Sequence, residues 1–179
     1  MTTALLLIDV QRNMVEAPDP VADAPTVGEA VADLLARARA AGTLVVHVRN
    51  NGTAGDPDLP DTPGWELVHE PRPDEPVVDK TACDSFAGTE LAGLLPASAD
   101  LVLAGMQTDW CVSATARAAL ARGHRVVLAG GAHSTYPDDR SAAEIIASVE
   151  QELAGLGVRV VPAGEIRFDQ PAEPSRDPA

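Results

Sequence analysis

The chain has 179 residues, 45% of them hydrophobic, which suffices for one well-buried core and is short for two. A formal net charge of −14, from 27 acidic against 13 basic residues, argues against a nucleic-acid or anionic-membrane partner, since both would be repelled. The opening MTTALLLIDV has no basic segment ahead of its apolar run and no later run is long enough to span a bilayer, so a cytoplasmic location with Cys83 and Cys111 as free thiols is expected.

Residues 4–8 form an apolar run of strand length, and Asp9 stands at its C-terminal end, the edge on which open parallel sheets build their sites. Asp9 is a candidate catalytic group; a turn aspartate capping the next backbone is the alternative. Gln11, Arg12 and Asn13 lead into a polar, Pro-punctuated loop up to Pro25. Thr26 and Glu29 then space a capping box, and Val27, Val31, Leu34, Leu35 and Ala38 recur at helical intervals until Gly42. A second strand is expected over 43–48. Residues 49–76, rich in Pro, Gly, Asp and Asn, make a connection long enough to be a lid, a binding loop or a subunit contact. Its large side chains, Trp65 and His69, fit an oligomer interface better than a pocket.

A third strand over 76–79 ends at Lys80, followed by a brief helix over 88–95. Lysine is ordinarily a surface residue, but this one follows a strand at the same edge as Asp9. Residues 101–104 form the fourth strand, Gly105 ends it, and the Ala-rich stretch 112–120 is a helix packed on the sheet. Cys111 falls at or just before the first turn of that helix. Unpaired N–H groups and the helix dipole there would lower its pKa from about 8.5 toward neutrality; the other reading is a small buried hydrophobe, and position alone leaves both open. A fifth strand over 125–129 leads into a glycine-rich loop with His133. Ser141 and Glu144 space another capping box, opening a helix with Ile145, Val149 and Leu153 inward, and 158–161 is the sixth strand. This alternation implies a parallel sheet with helices on both faces. The domain is expected to span 1–170, with a disordered Pro-rich tail over 171–179.

Three separated motifs stand out: LLLIDVQRNM with Asp9, VVDKTACDSFAGTEL with Lys80, and GMQTDWCVSATARAALARGHRVVLAGGAHST with Cys111. Together they resemble the isochorismatase-like cysteine hydrolases over most of residues 4–162. The resemblance implies a three-layer α/β/α sandwich whose six-stranded parallel sheet has the order 3-2-1-4-5-6. Strands 1 and 4 then flank the topological switch point, and one crevice can contain all three motif residues. It further implies Cys111 as nucleophile, Asp9 as general base and Lys80 as the cation stabilising the pair. A cis peptide at Met106–Gln107 and an oxyanion hole from the N–H groups of Gln107 and Cys111 are also implied. Gln11, Phe86, Thr108, Trp110 and His133 are pocket candidates by their place in or beside the motifs, and Cys83 matches nothing in the pattern.

Nicotinamidases of this family carry an Asp-x-His metal motif after the second strand, whereas this chain reads His47, Val48, Arg49, Asn50, Asn51. No metal and no cofactor are therefore expected. The complete set of Asp9, Lys80 and Cys111 implies a metal-independent cysteine hydrolase that cleaves a small amide, urea-like or lactam substrate through a thioester. Vinyl ether hydrolysis of the isochorismate type is the alternative chemistry. A silent ligand-binding member would not need all three residues, and a thiol-redox role lacks a Cys-x-x-Cys pair. By resemblance the chain forms a dimer or larger symmetric homo-oligomer.

Overall fold

Six apolar segments pair into one parallel sheet of order β3-β2-β1-β4-β5-β6. The strands are β1 (Thr3–Ile8), β2 (Leu44–Asn50), β3 (Val77–Lys80), β4 (Asp100–Met106), β5 (Arg125–Ser134) and β6 (Arg159–Pro162). The computed structural model describes residues 3–168; the proposed 171–179 tail lies outside them. β1 is central, paired with β2 on one side and β4 on the other, and its two faces meet two different cores. Leu6 and Ile8 pack with Val112, Ala116, Ile145 and Val149, whereas Leu5 and Leu7 pack with Val31, Leu34 and Leu35. That is why β1 is an unbroken aliphatic run without polar alternation.

The helices are α1 (Arg12–Val15), α2 (Ala24–Ala40), α3 (Leu91–Leu94), α4 (Ser113–Ala121) and α5 (Ala142–Gly155). α2 covers one face of the sheet, α4 and α5 the other, giving the α/β/α sandwich that the resemblance implied. The capping box at Ser141 and Glu144 forms with both reciprocal hydrogen bonds. The one expected at Thr26 and Glu29 does not, because α2 starts earlier. Asp23 turns the chain in the left-handed region at φ 52° and Pro25 occupies the first turn, where its missing N–H costs nothing.

Two departures from the expected elements shape the site. β5 continues through Gly130 and Gly131 to Ser134, with a register shift that sets Leu128 opposite Leu103 but His133 opposite Gly105. His133 is thus a strand residue, buried in the sheet. Between β4 and α4 the chain makes a π-helical turn, Thr108–Val112, in which the Val112 N–H reaches the Gln107 carbonyl at 3.1 Å. Cys111 sits within this wide turn, ahead of the α-helix.

Candidate active site

The C-terminal ends of β1, β3 and β4 deliver the three motif residues to one place. Asp9 leaves β1 at φ 50°, its N–H bound to the Val48 carbonyl at 2.9 Å. Beside it Gly105 has φ +123°, and a Cβ there would lie 1.9 Å from the Ile8 carbonyl oxygen. Only glycine lets β4 run this close to the point where the aspartate turns off. Lys80 Nζ is 2.9 Å from Asp9 Oδ2 and donates to Cys111 Sγ at 3.3 Å and to Asn50 Oδ1 at 3.1 Å. Asp9 and Lys80 are almost fully buried and Cys111 half-buried. The other carboxylate oxygen, Asp9 Oδ1, is buried without a hydrogen-bond partner, and the Cys111 thiol neighbours the same carboxyl group. The peptide bond Met106–Gln107, just before the cysteine turn, is cis. A cleft of about 480 Å³ opens over Asp9, Asn50, Gln107, Trp110 and Cys111.

Burial pushes the Asp9 carboxyl above its ordinary value, against the pull of the Lys80 ammonium and the thiol contact. Burial also works against the Lys80 ammonium, but the Asp9 carboxylate and Cys111 outweigh it and hold the lysine charged. The Cys111 thiol is pushed up, first by burial and next by the Asp9 carboxylate, with Lys80 opposing both. The lowered thiol pKa expected from the helix start is therefore not that of the resting site. A thiolate would stand buried beside an existing carboxylate, and the helix end does not offset that. Moving the thiol proton to Asp9 changes this balance: it creates the thiolate while neutralising the carboxylate, so the net charge of the cluster is constant. Lys80 touches both acids and stabilises either charge distribution.

Of the pocket candidates, Trp110 lines the cleft, with 60% of its surface exposed. The other four do not. Gln11 is fully buried, its Nε2 donating to the carbonyls of Asn50 (3.0 Å) and Trp65 (3.1 Å) and its Oε1 accepting from the Asn50 N–H (2.8 Å). It ties the 49–76 connection to the end of β1. Phe86 is buried against the rings and guanidinium of His124 and Arg122. Thr108 and His133 are buried and bonded to each other, Oγ1 to Nδ1 at 2.9 Å, which braces the cysteine turn against β5. Trp65, expected at an interface, is half-buried within the chain: Arg49 lies 3.4 Å from its ring centre and Nε1 donates to Asn51 Oδ1 at 2.6 Å. Cys83 lines the cleft, which its place outside the motif pattern did not suggest.

Asn50 escaped the sequence reading. Its Oδ1 receives Lys80 Nζ while its Nδ2 donates to the buried carboxylate of Asp58 at 2.6 Å, so it links the Asp9–Lys80–Cys111 cluster to the long connection. The available signal was its place at the end of β2, the same edge that marked Asp9 and Lys80. Among the described residues no cluster of three or more His, Cys, Asp or Glu side chains is arranged to hold a metal, and no helix is long and apolar enough to cross a membrane.

Fold and site thus define a doubly wound α/β domain with a buried Asp–Lys–Cys cluster at its topological switch point. The isochorismatase domain model matches residues 3–156, and the chain belongs to the isochorismatase family. Two streptothricin hydrolases of Streptomyces noursei are similar in sequence. One is 52% identical over 137 residues, covering 74% of this chain and 54% of that protein. The other is 45% identical over 180 residues, covering 94% of this chain and 65% of that protein. The chain therefore spans between about half and two thirds of these relatives' length. Among solved structures, an isochorismatase from Pseudomonas putida KT2440 superposes with a TM-score of 0.84 at 27% identity, covering 92% of this chain and 89% of that one.

Proposed function

We propose that the chain is a metal-independent cysteine amidohydrolase that opens a C–N bond of a small amide, urea-like or lactam substrate. The observation that carries this reading is the contact between Lys80 and both Asp9 and Cys111 in a buried cluster beneath an open cleft. Asp9 takes the thiol proton as Cys111 Sγ adds to the carbonyl carbon. The carbonyl oxygen becomes an oxyanion, held by the N–H groups of Gln107 and Cys111; each such donor contributes about 3 to 4 kcal/mol in comparable sites. Collapse expels the nitrogen, which receives the proton from Asp9, and leaves a thioester on Cys111. Water, giving a proton to Asp9, adds to the thioester; the acid departs and the thiol is restored with that proton. Lys80 stays charged throughout and keeps Asp9 and Sγ in register.

The streptothricin hydrolases among its relatives make streptothricin the first compound to assay, followed by a panel of primary amides, ureas and lactams. Product mass and released amine report the reaction. Wild-type protein is expected to consume one member of the panel and Cys111→Ala to lose at least about 10³-fold of that rate, in line with removal of other enzymatic nucleophiles. Comparable turnover by folded Cys111→Ala overturns the mechanism. Pyruvate release from isochorismate with no amide cleaved would assign the alternative vinyl ether chemistry.

A further inference from the structure

The Lys80 ammonium is held by more than the two groups that the proposed reaction uses. Its side chain is shut off from solvent, and its three N–H donors meet three acceptors: Asp9 Oδ2 at 2.9 Å, Asn50 Oδ1 at 3.1 Å and Cys111 Sγ at 3.3 Å. Two of those acceptors change charge when the thiol proton moves. Asn50 does not, which makes it the fixed point of the three.

An asparagine can hold an ammonium only with its oxygen turned toward it, since the flipped amide would set N–H groups against N–H groups. The orientation of Asn50 is set from its other side, where Nδ2 donates to Asp58 Oδ2 at 2.6 Å. A carboxylate only accepts, so Asp58 takes the amide nitrogen and leaves the oxygen for Lys80. The backbone is tied down as well: the Asn50 N–H donates to Gln11 Oε1 at 2.8 Å, and the Asn51 N–H to the Lys80 carbonyl at 2.8 Å. Asp58 is itself seated. It is buried, its carbonyl accepts the Gly52 N–H at 3.0 Å, and a Cβ at Gly52 would lie 2.2 Å from Asp58 Oδ1. The bare backbone of residue 52 makes room for this carboxylate. A staple for the 49–76 connection would need only the Asp58 contact; the Oδ1 contact carries that staple on to the reacting groups.

We infer that Asn50 and Asp58 are positioning residues for the reaction: Asp58 orients the Asn50 amide, and Asn50 holds the Lys80 ammonium between Asp9 and Cys111 while the proton passes, so that reactivity at Cys111 depends on the 49–76 connection being seated. This role rests on the amidohydrolase reading, and it is tested without turnover. Cys111 and Cys83 are alkylated with iodoacetamide, a small neutral reagent, across a range of pH in wild type, Asn50→Leu, Asp58→Leu and Asp58→Asn. Each thiol is timed by peptide mass spectrometry. Burial and the Asp9 charge push the Cys111 thiol up and Lys80 opposes them, so an ammonium that drifts from Sγ slows alkylation.

Asn50→Leu and Asp58→Leu are each expected to slow Cys111 by at least about tenfold, the scale of one hydrogen bond to a charged group, and to move its profile to higher pH. Cys83 is expected to keep its rate within about twofold, and Asp58→Asn, which retains an acceptor oxygen for Nδ2, to keep Cys111 within about threefold. A merely structural role has the opposite sign, because loosening the fold exposes both half-buried thiols and speeds both. Faster alkylation of both thiols, a Cys111 rate within about twofold of wild type in Asn50→Leu, or a loss in Asp58→Asn as deep as in Asp58→Leu overturns the inference. Slowed Cys111 alkylation with no amide cleaved would instead fault the reaction assigned and leave the positioning role standing. Amide cleavage lost in Cys111→Ala but kept in Asn50→Leu would do the reverse.

Discussion

Two buried charge clusters lie along the same pair of strands and behave in opposite ways. Near the start of β3, Glu75 receives Arg39 on both oxygens at 2.7 Å, His47 at 3.0 Å and the Arg72 N–H at 3.0 Å. With the Arg39 hydrogen bonds outweighing burial, its carboxyl is lowered to about 2. At the far end of β3, Asp9 receives Lys80 on one oxygen, has the other buried without a partner, and is raised by burial. Both clusters combine a carboxylate, a cation and a third titratable group. The saturated one is satisfied as a structural brace; the under-satisfied one has the unmet hydrogen-bonding capacity that the proposed proton transfer between oxygen and sulfur requires. Hydrogen-bond saturation, more than burial, separates a brace from a reactive site.

The largest expected effect distinguishes the clusters by function. Cys111→Ala should cost at least about 10³-fold in kcat/KM with little change in thermal stability, whereas Glu75→Gln should leave kcat/KM within about twofold. Lys80→Met should damage both properties, because it strips the buried Asp9 of its cation; activity should vanish and urea unfolding should show a loss of about 3 to 5 kcal/mol.

The pH dependence sharpens the contrast. Glu75 has a folded value of about 2 against an ordinary 4.5, so its stabilisation is fully present above 4.5 and disappears as pH falls toward 2. Glu75→Gln should therefore destabilise the protein by about 1 to 3 kcal/mol at neutral pH and converge with wild type in acid, as followed by urea titrations at several pH values. Asp9 has the opposite sign. Its folded value lies above 3.8, so the unfolded chain ionises first and this group's contribution to stability falls as pH rises through that window. In catalysis the same shift should place the acid limb of kcat/KM above the ordinary carboxylate range, because the base must be ionised to accept the thiol proton. The smallest effect is expected from Cys83→Ala, with stability changed by less than about 1 kcal/mol and turnover largely kept, because this half-buried thiol lines the cleft and the Lys80 hydrogen bond goes to Cys111.

How far each feature was legible depended on its range in sequence. Asp9, Lys80 and Cys111 stand out because each follows a strand-length apolar run at the edge where parallel sheets place their sites. Gln11, Phe86, Thr108 and His133 lie equally close to the motifs, yet their side chains are turned inward to partners from 25 to 54 residues away or packed against other rings. Asn50 shows the converse, a strand-end residue whose significance comes from Lys80, 30 residues on. The unused capping signal at Thr26 and Glu29 teaches a similar lesson: a left-handed Asp23 and an early Pro25 started the helix sooner than the local pattern implied.

Periodicity was enough to establish the alternation of strands and helices, and strand-end position pointed to Asp9 and Lys80, while Cys111 was singled out by the resemblance of the three motifs and not by position alone. Those signals are local, set by burial of one face or one run of side chains. Tertiary structure decided the direction of the Cys111 shift, because neighbouring charge and depth of burial overrule a favourable helix end. It also decided which polar residues face the cleft, admitting Asn50 and turning Gln11 inward. Charges act through space, and the chain's order does not record the distances between them.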